Sequence, residues 1–220
     1  TQPNGGMGAL AQAFEKSAAA AGVLVRTGAK VKRVLVENDR AVGVELDGGE
    51  SLRARHVVSN ADPKTTFMDL LGAAHLDTGF VRKLKHVRQG GRAGKLHLAL
   101  RELPKFAGLD AAALGDRIVV GPSMDYLERS FNPSKYREVP AEPMLELSLA
   151  SVRDGTLAPS GRHVLSAVVQ FLPYVEGEAA NAPLREQALR NALALLEQYA
   201  PGIGALVEHA ELLLPWDLEQ

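Results

Sequence analysis

Apolar positions recur at three- and four-residue steps where the chain begins. Met7, Leu10, Phe14 and Ala18 share one side of a helix predicted from Gly5 to Gly22, and Gly22 suits the left-handed stop after its last turn. Short β-rich runs follow at Val23 to Arg26, Val31 to Val36, Ala41 to Leu46 and Leu52 to Ser59. Asn38-Asp39 and Asp47-Gly48-Gly49 have hairpin-turn chemistry, so the last three runs predict an antiparallel meander. Val34 and Val36, set against Lys32, Arg33 and Glu37, predict strands with one wet face.

The texture changes at Asp62-Pro63, where a capping carboxylate and a first-turn proline predict a helix to Leu71; a second helix is predicted from Asp77 to His86. Strands are expected at about 94–100, 144–152 and 163–172, with Pro104, Pro122, Pro133, Pro140 and Pro143 marking a loop-rich connection after the first. Leu184, Ala188, Leu189, Ala192, Leu193, Leu196 and Tyr199 trace one face of a long helix at about 183–200, which Pro201-Gly202 ends. Strands that return this late predict a sheet of their own. The pattern therefore places a boundary near Asp62, with portions 1–62 and 63–220, in an α/β or α+β chain.

Composition narrows the function classes. Across 220 residues, 25 Lys+Arg face 26 Asp+Glu with no basic run, so nucleic acid is not an expected partner. With Cys 0 there is no disulfide, thiolate ligand or cysteine nucleophile, and no apolar run approaches the length of a membrane span. The start at Thr1 lacks an initiating Met and a signal-peptide pattern and reads as the middle of a longer chain.

Local motifs add little chemistry. Gly6-Met7-Gly8-Ala9-Leu10-Ala11 matches G-x-G-x-x-A at a helix mouth, but no strand precedes it and Arg26-Thr27 stands where an acidic residue should hold a ribose, so it is read as a close-packed helix start. The histidines lack metal-ligand spacing, and there is no G-x-S-x-G elbow. Asp125, Glu128 and Glu142 lie scattered in loops, and Trp216 reads as a packing anchor.

The order of short signatures says more. Gly5-Gly6-Met7, Gly22-Val23, Ala29-Lys30-Val31-Lys32-Arg33-Val34, Val42-Gly43-Val44-Glu45-Leu46 before Asp47-Gly48-Gly49, and Val57-Val58-Ser59-Asn60-Ala61-Asp62-Pro63 follow one another. Lys95 to Leu100 with Leu103-Pro104, Leu157 to His163, Gln170 to Tyr174 and Leu214 to Glu219 continue the series. Together they resemble the phytoene-desaturase-like FAD-dependent oxidoreductases of the amine oxidase superfamily. The resemblance implies a partial FAD-binding domain over 1–62, then a substrate domain of mixed sheet and helices over 63–220.

It also implies FAD as cofactor of the full-length protein. The pyrophosphate-binding and flavin-facing segments are expected outside this chain, which by itself should hold no stoichiometric FAD and be inactive. Val31 matches the strand position whose backbone reads the adenine edge, although a plain strand valine is the alternative; Ser59, Asn60 and Ala61 match the turn near the ADP part. Gly5, Gly6 and Met7 match a segment near the substrate cavity, where close helix packing would equally account for the glycines. The implied reaction is hydride removal from a C–H bond of a small lipophilic substrate at flavin N5, which requires no particular protein acid or base. No catalytic residue or metal is assigned. The implied setting is cytoplasmic, with peripheral membrane contact open. A non-catalytic binding or assembly module with the same fold is the alternative, and an unrelated hydrolase would need a nucleophile–base pair that is not visible.

Overall fold

Two hairpin turns organise the first sheet of the computed structural model, which describes residues 3–87 and 90–219. β1 (Val31–Glu37) pairs with β2 (Arg40–Leu46) through Asn38 and Asp39, both at positive φ (48° and 58°), as a two-residue hairpin of primed type requires. β3 (Ser51–Arg53) then pairs antiparallel with β2, giving the order β1-β2-β3. The backbones of β2 and β3 come so close at Gly43 (φ +155°) that a Cβ there would lie 2.2 Å from the Leu52 carbonyl oxygen.

The helix expected after Asp62 is present in wide-turned form, as a π-helix over Thr65–Gly72. The Asp62 carboxylate accepts from the N–H groups of Lys64 (2.9 Å) and Thr65 (3.1 Å), satisfying first-turn donors. This helix packs on β1. α2 (Thr78–His86) follows, capped by Asp77, which accepts from Phe80 N–H at 3.0 Å. These elements belong to a compact unit of Glu15–Gln89; the second unit comprises Thr1–Phe14 and Gly90–Gln220. The compact units thus do not divide at Asp62, because the π-helix stays with the three-stranded sheet.

In the second unit, two-residue alternation sets the core. β4 (Ala93–Leu100), β5 (Ile118–Val120), β6 (Leu145–Ser148), β7 (His163–Gln170) and β8 (Val207–Leu213) form a five-stranded sheet in the order β5-β6-β7-β4-β8. Leu96, Leu98 and Leu100 of β4, Leu165, Ala167 and Val169 of β7, and Leu145 and Leu147 of β6 point to one buried face. Ala188, Ala192, Leu195 and Leu196 of the long helix α4 (Glu178–Tyr199) join the same core. α3 (Met124–Phe131) begins at Ser123, whose hydroxyl accepts from Tyr126 N–H at 3.1 Å, and α5 (Ile203–Leu206) is one short turn before β8.

Several expectations are corrected. Val23 to Arg26 forms no strand: Val23, Leu24 and Val25 are 54%, 83% and 47% exposed and pair with no strand among the described residues. The run from Leu52 stops at Arg53, and 144–152 shortens to β6 followed by a 3-10 turn at Ala150–Val152. The long helix starts earlier, at Glu178, and carries Pro183 inside its second turn, while the Asn181 side chain donates to the carbonyls of Val175 (2.6 Å) and Gly177 (2.8 Å) just before the helix. The resemblance implied a mixed sheet, whereas every strand pairing among the described residues is antiparallel. The helix at the start of the chain, α1 (Gly6–Ala20), buries none of its residues, and its expected inner face is open at Met7 and Phe14.

Candidate functional site

A cleft of about 720 Å³ lies in the Glu15–Gln89 unit, against the first sheet. Val31, Lys32 and Val34 of β1 and Val44 of β2 form its floor, the extended segment Val57 to Ala61 forms one wall, and Thr65, Asp69 and Leu70 of the π-helix form another. The structure therefore gathers Val31, Ser59, Asn60 and Ala61 around one space, although Val31 stands far from the other three in sequence.

Backbone register decides what Val31 offers. The Asp47 N–H donates to the Lys30 carbonyl at 3.0 Å, and the next pair in register is Val31 with Leu46. The Leu46 N–H donates to the Glu50 carbonyl at 2.8 Å rather than to Val31, and the register shifts between Val31 and Arg33, which loosens the ladder at this end. β1 is an edge of its sheet, so no strand among the described residues pairs with its other side. Backbone N–H and C=O groups along such an edge can serve as donor and acceptor without any particular side chain.

The opposite wall is held by a small hydroxyl network. Ser59 Oγ lies 2.8 Å from Thr66 Oγ1 and accepts from Ala61 N–H at 3.3 Å, while Thr66 Oγ1 donates to the Ala61 carbonyl at 3.1 Å. These bonds tie the turn to the π-helix and fix its outline. Val58, 94% exposed, contributes an open apolar surface beside them.

The charges of the lining balance. Lys30 and Lys32 stand against Asp47 and Asp69; Lys30 pairs with Asp47 at 3.9 Å and Lys32 with Glu45 at 3.4 Å. A hydrogen bond from Arg33 holds the Glu45 carboxyl below its ordinary range against the cost of desolvation, and Lys32 adds a lesser lowering. Without a net positive charge, this cleft suits a neutral, hydrogen-bonding group better than a phosphate.

Gly5, Gly6 and Met7 belong to the other unit, at the mouth of α1. Sequence reasoning missed the contributions of Val44, Thr65, Asp69 and Leu70. The single available signal was the Asp62-Pro63 cap, which predicted a helix but not the sheet it would lean on. Among the histidines, His163 Nδ1 lies 3.1 Å from Ser151 Oγ, which also accepts from Val164 N–H, a structural tie inside the five-stranded unit. Among the described residues no group of His, Asp and Glu is placed to hold a metal ion.

The described strands thus form two antiparallel sheets, with the cleft along the edge strand of the smaller one. Residues 1–201 match the family described as flavin containing amine oxidoreductase, and the chain belongs to that family. It is 33% identical to pyridine nucleotide-disulfide oxidoreductase domain-containing protein 2 of Rattus norvegicus, over 98% of this chain and 39% of that protein. It is 32% identical to the zeta-carotene-forming phytoene desaturase of Myxococcus xanthus, over 76% of this chain and 30% of that one. In fold it is similar to an oxidoreductase from Methanosarcina mazei (TM-score 0.66, 21% identity, covering 97% of this chain and 44% of that one). The chain spans about two fifths of the length of the curated rat and mouse relatives it matches.

Proposed function

We propose that this chain serves a flavin-dependent oxidoreductase, with FAD as cofactor, that removes hydride from a C–H bond of an apolar substrate. The observation that carries the cofactor reading is the cleft, whose lining brings Val31 of the edge strand together with the Ser59–Asn60–Ala61 turn. Its volume falls within the roughly 300–1,000 Å³ of small-molecule sites. Its balanced charge favours the adenosine end of the cofactor, with Val31 N–H and C=O on the adenine edge and the Ser59 to Ala61 turn alongside the ribose. FAD, when bound, supplies the hydride acceptor. The chain's own residues bind and orient. The cofactor side is proposed to be 1–62, extended by the π-helix whose Thr65, Asp69 and Leu70 line the same cleft, and the remainder is proposed to serve the substrate.

The apolar substrate is supported by relatives named as a phytoene desaturase and a 4,4'-diaponeurosporene oxygenase. No helix among the described residues is long and apolar enough to cross a membrane; a cytoplasmic setting with peripheral membrane contact is proposed for a lipophilic substrate.

The test uses the full-length protein and its Ala61→Trp variant, which fills the cleft, beside Val119→Trp at an exposed position of the other unit. Visible absorbance should show close to one flavin per chain in the parent and in Val119→Trp, and a loss of at least tenfold in affinity for Ala61→Trp. Anaerobic bleaching by phytoene, but not by benzylamine, is expected for the apolar-substrate reading. A parent without flavin, or an Ala61→Trp protein that keeps it at parent affinity, overturns the cofactor reading; bleaching by the amine alone overturns the substrate class.

A further inference from the structure

The glycine-rich mouth of α1 has the pattern of an anion site, yet it is already occupied by a side chain of the same protein. Asp154 lies in the turn between β6 and β7 and is only 7% exposed. Its Oδ2 accepts from Gly5 N–H at 2.6 Å, and its Oδ1 accepts from Thr156 N–H at 3.0 Å and from Thr156 Oγ1 at 2.6 Å. Gly5 and Gly6 are both left-handed (φ 83° and 72°), a conformation that glycine adopts without strain. A Cβ on Gly6 would come 3.3 Å from Leu157 Cδ2, so the same turn leaves little room for a side chain at the mouth. The carboxylate holds Gly5 directly, and its negative charge sits where the helix dipole favours it.

We propose that Asp154 is a positioning residue, which from 149 residues along the chain clamps the Gly5–Gly6 mouth of α1 and so sets where Met7 stands. Its relevance to substrate rests on the flavoenzyme reading, in which Gly5 to Met7 border the substrate cavity; the clamp itself does not.

Acceptor chemistry makes the clamp specific to a carboxylate. Both oxygens accept, whereas an amide has one acceptor oxygen and must turn its NH2 toward a donor. Asp154→Asn should therefore fail like Asp154→Ala. The hydrogen bonds from the Thr156 hydroxyl, then from the N–H groups of Thr156, Gly5 and Gly6, hold the Asp154 carboxyl below its ordinary range against a desolvation cost. The neighbouring Arg153 is turned to Asp116, and Arg162 to Glu208.

The experiment is hydrogen–deuterium exchange by mass spectrometry on the full-length protein. Peptides over residues 3–10 should exchange about tenfold to a hundredfold faster in Asp154→Asn and Asp154→Ala, the range expected for losing a hydrogen bond to a charged group. Peptides from α4 should not change. In the parent, corrected for intrinsic rates, protection of residues 3–10 should fall as pH drops through the depressed carboxylate range, a profile that Asp154→Asn abolishes. Unchanged exchange in the Asn variant, a uniform rise that includes α4, or a flat parent profile would each overturn the clamp. Flavin content, measured on the same samples, judges the cofactor reading separately: an absent flavin sinks that reading and leaves the exchange result to decide the clamp.

Discussion

Gly43→Ala is the most direct probe of the sheet that floors the cleft. Gly43 stands in the middle strand, paired with Leu35 on one side and Arg53 on the other, and next to Val44 of the cleft. A Cβ would meet the Leu52 carbonyl oxygen at 2.2 Å and the Arg53 Cα at 3.0 Å, where ordinary contact begins at 3.4 Å. Since the obstacle is backbone, relief requires β3 to move by about an ångström, enough to lose one or two ladder hydrogen bonds at about 1 kcal/mol each. The positive φ adds about 1–2 kcal/mol for any residue with a side chain. The sum is a destabilisation of about 2–4 kcal/mol, local to the first sheet. Exchange of peptides over residues 40–54 in the full-length protein should rise accordingly, and its flavin affinity should weaken because Val44 shifts with its neighbour. If Gly43→Ala unfolds within about 0.5 kcal/mol of the parent and keeps its protection there, the close approach of β2 and β3 is refuted.

Two further outcomes concern the other unit. Leu165 is 0% exposed in the middle of the five-stranded sheet, so Leu165→Ala should cost about 2–5 kcal/mol in equilibrium denaturation followed by Trp216 fluorescence. A cost below 1 kcal/mol would mean that this face is not packed. Glu197 at the end of α4 accepts from Gly202 N–H at 2.5 Å and Gly204 N–H at 3.2 Å, and those bonds hold its carboxyl below the ordinary range. Its stabilising contribution is present above the unfolded carboxylate value and disappears as pH falls through the lower folded one; Glu197→Gln should flatten that acid-side slope in thermal melts, and an identical slope would contradict the assignment.

Much of the fold is legible where the signal is local. Asn38-Asp39 and Asp47-Gly48-Gly49 announce the meander because turn chemistry and strand pairing are neighbours in sequence. The alternation in β4 and β7 likewise reads directly as a sheet with one buried face. β8 was silent: Glu208, His209 and Glu211 dilute its apolar pattern, and its partner β4 lies a hundred residues earlier. β5 is hidden within the proline-rich connection. Val23 to Val25 failed in the opposite sense. The composition of a strand is there, but a strand exists only through a partner, and none among the described residues pairs with it.

The residues of the candidate cleft were reached by a different route. Val31, Ser59, Asn60 and Ala61 came from a resemblance in the order of short motifs, not from side-chain chemistry, and the structure explains why no motif search would have reached them. At Val31 the proposed reading uses a backbone N–H and C=O of a strand at the sheet edge. Any residue compatible with a strand could carry them. The turn opposite works through its outline, set by Ser59 and Thr66 hydroxyls that bond to each other and to backbone. Even the charges cancel across the lining. Asp154 shows the same blindness from the other side: a glycine pattern that looks like a phosphate cradle is answered by a carboxylate 149 residues away, and only the fold brings donor and acceptor together. A site built from backbone and shape constrains geometry strongly and sequence weakly, which is why variants that alter space, such as Ala61→Trp and Gly43→Ala, test it better than removal of any polar side chain.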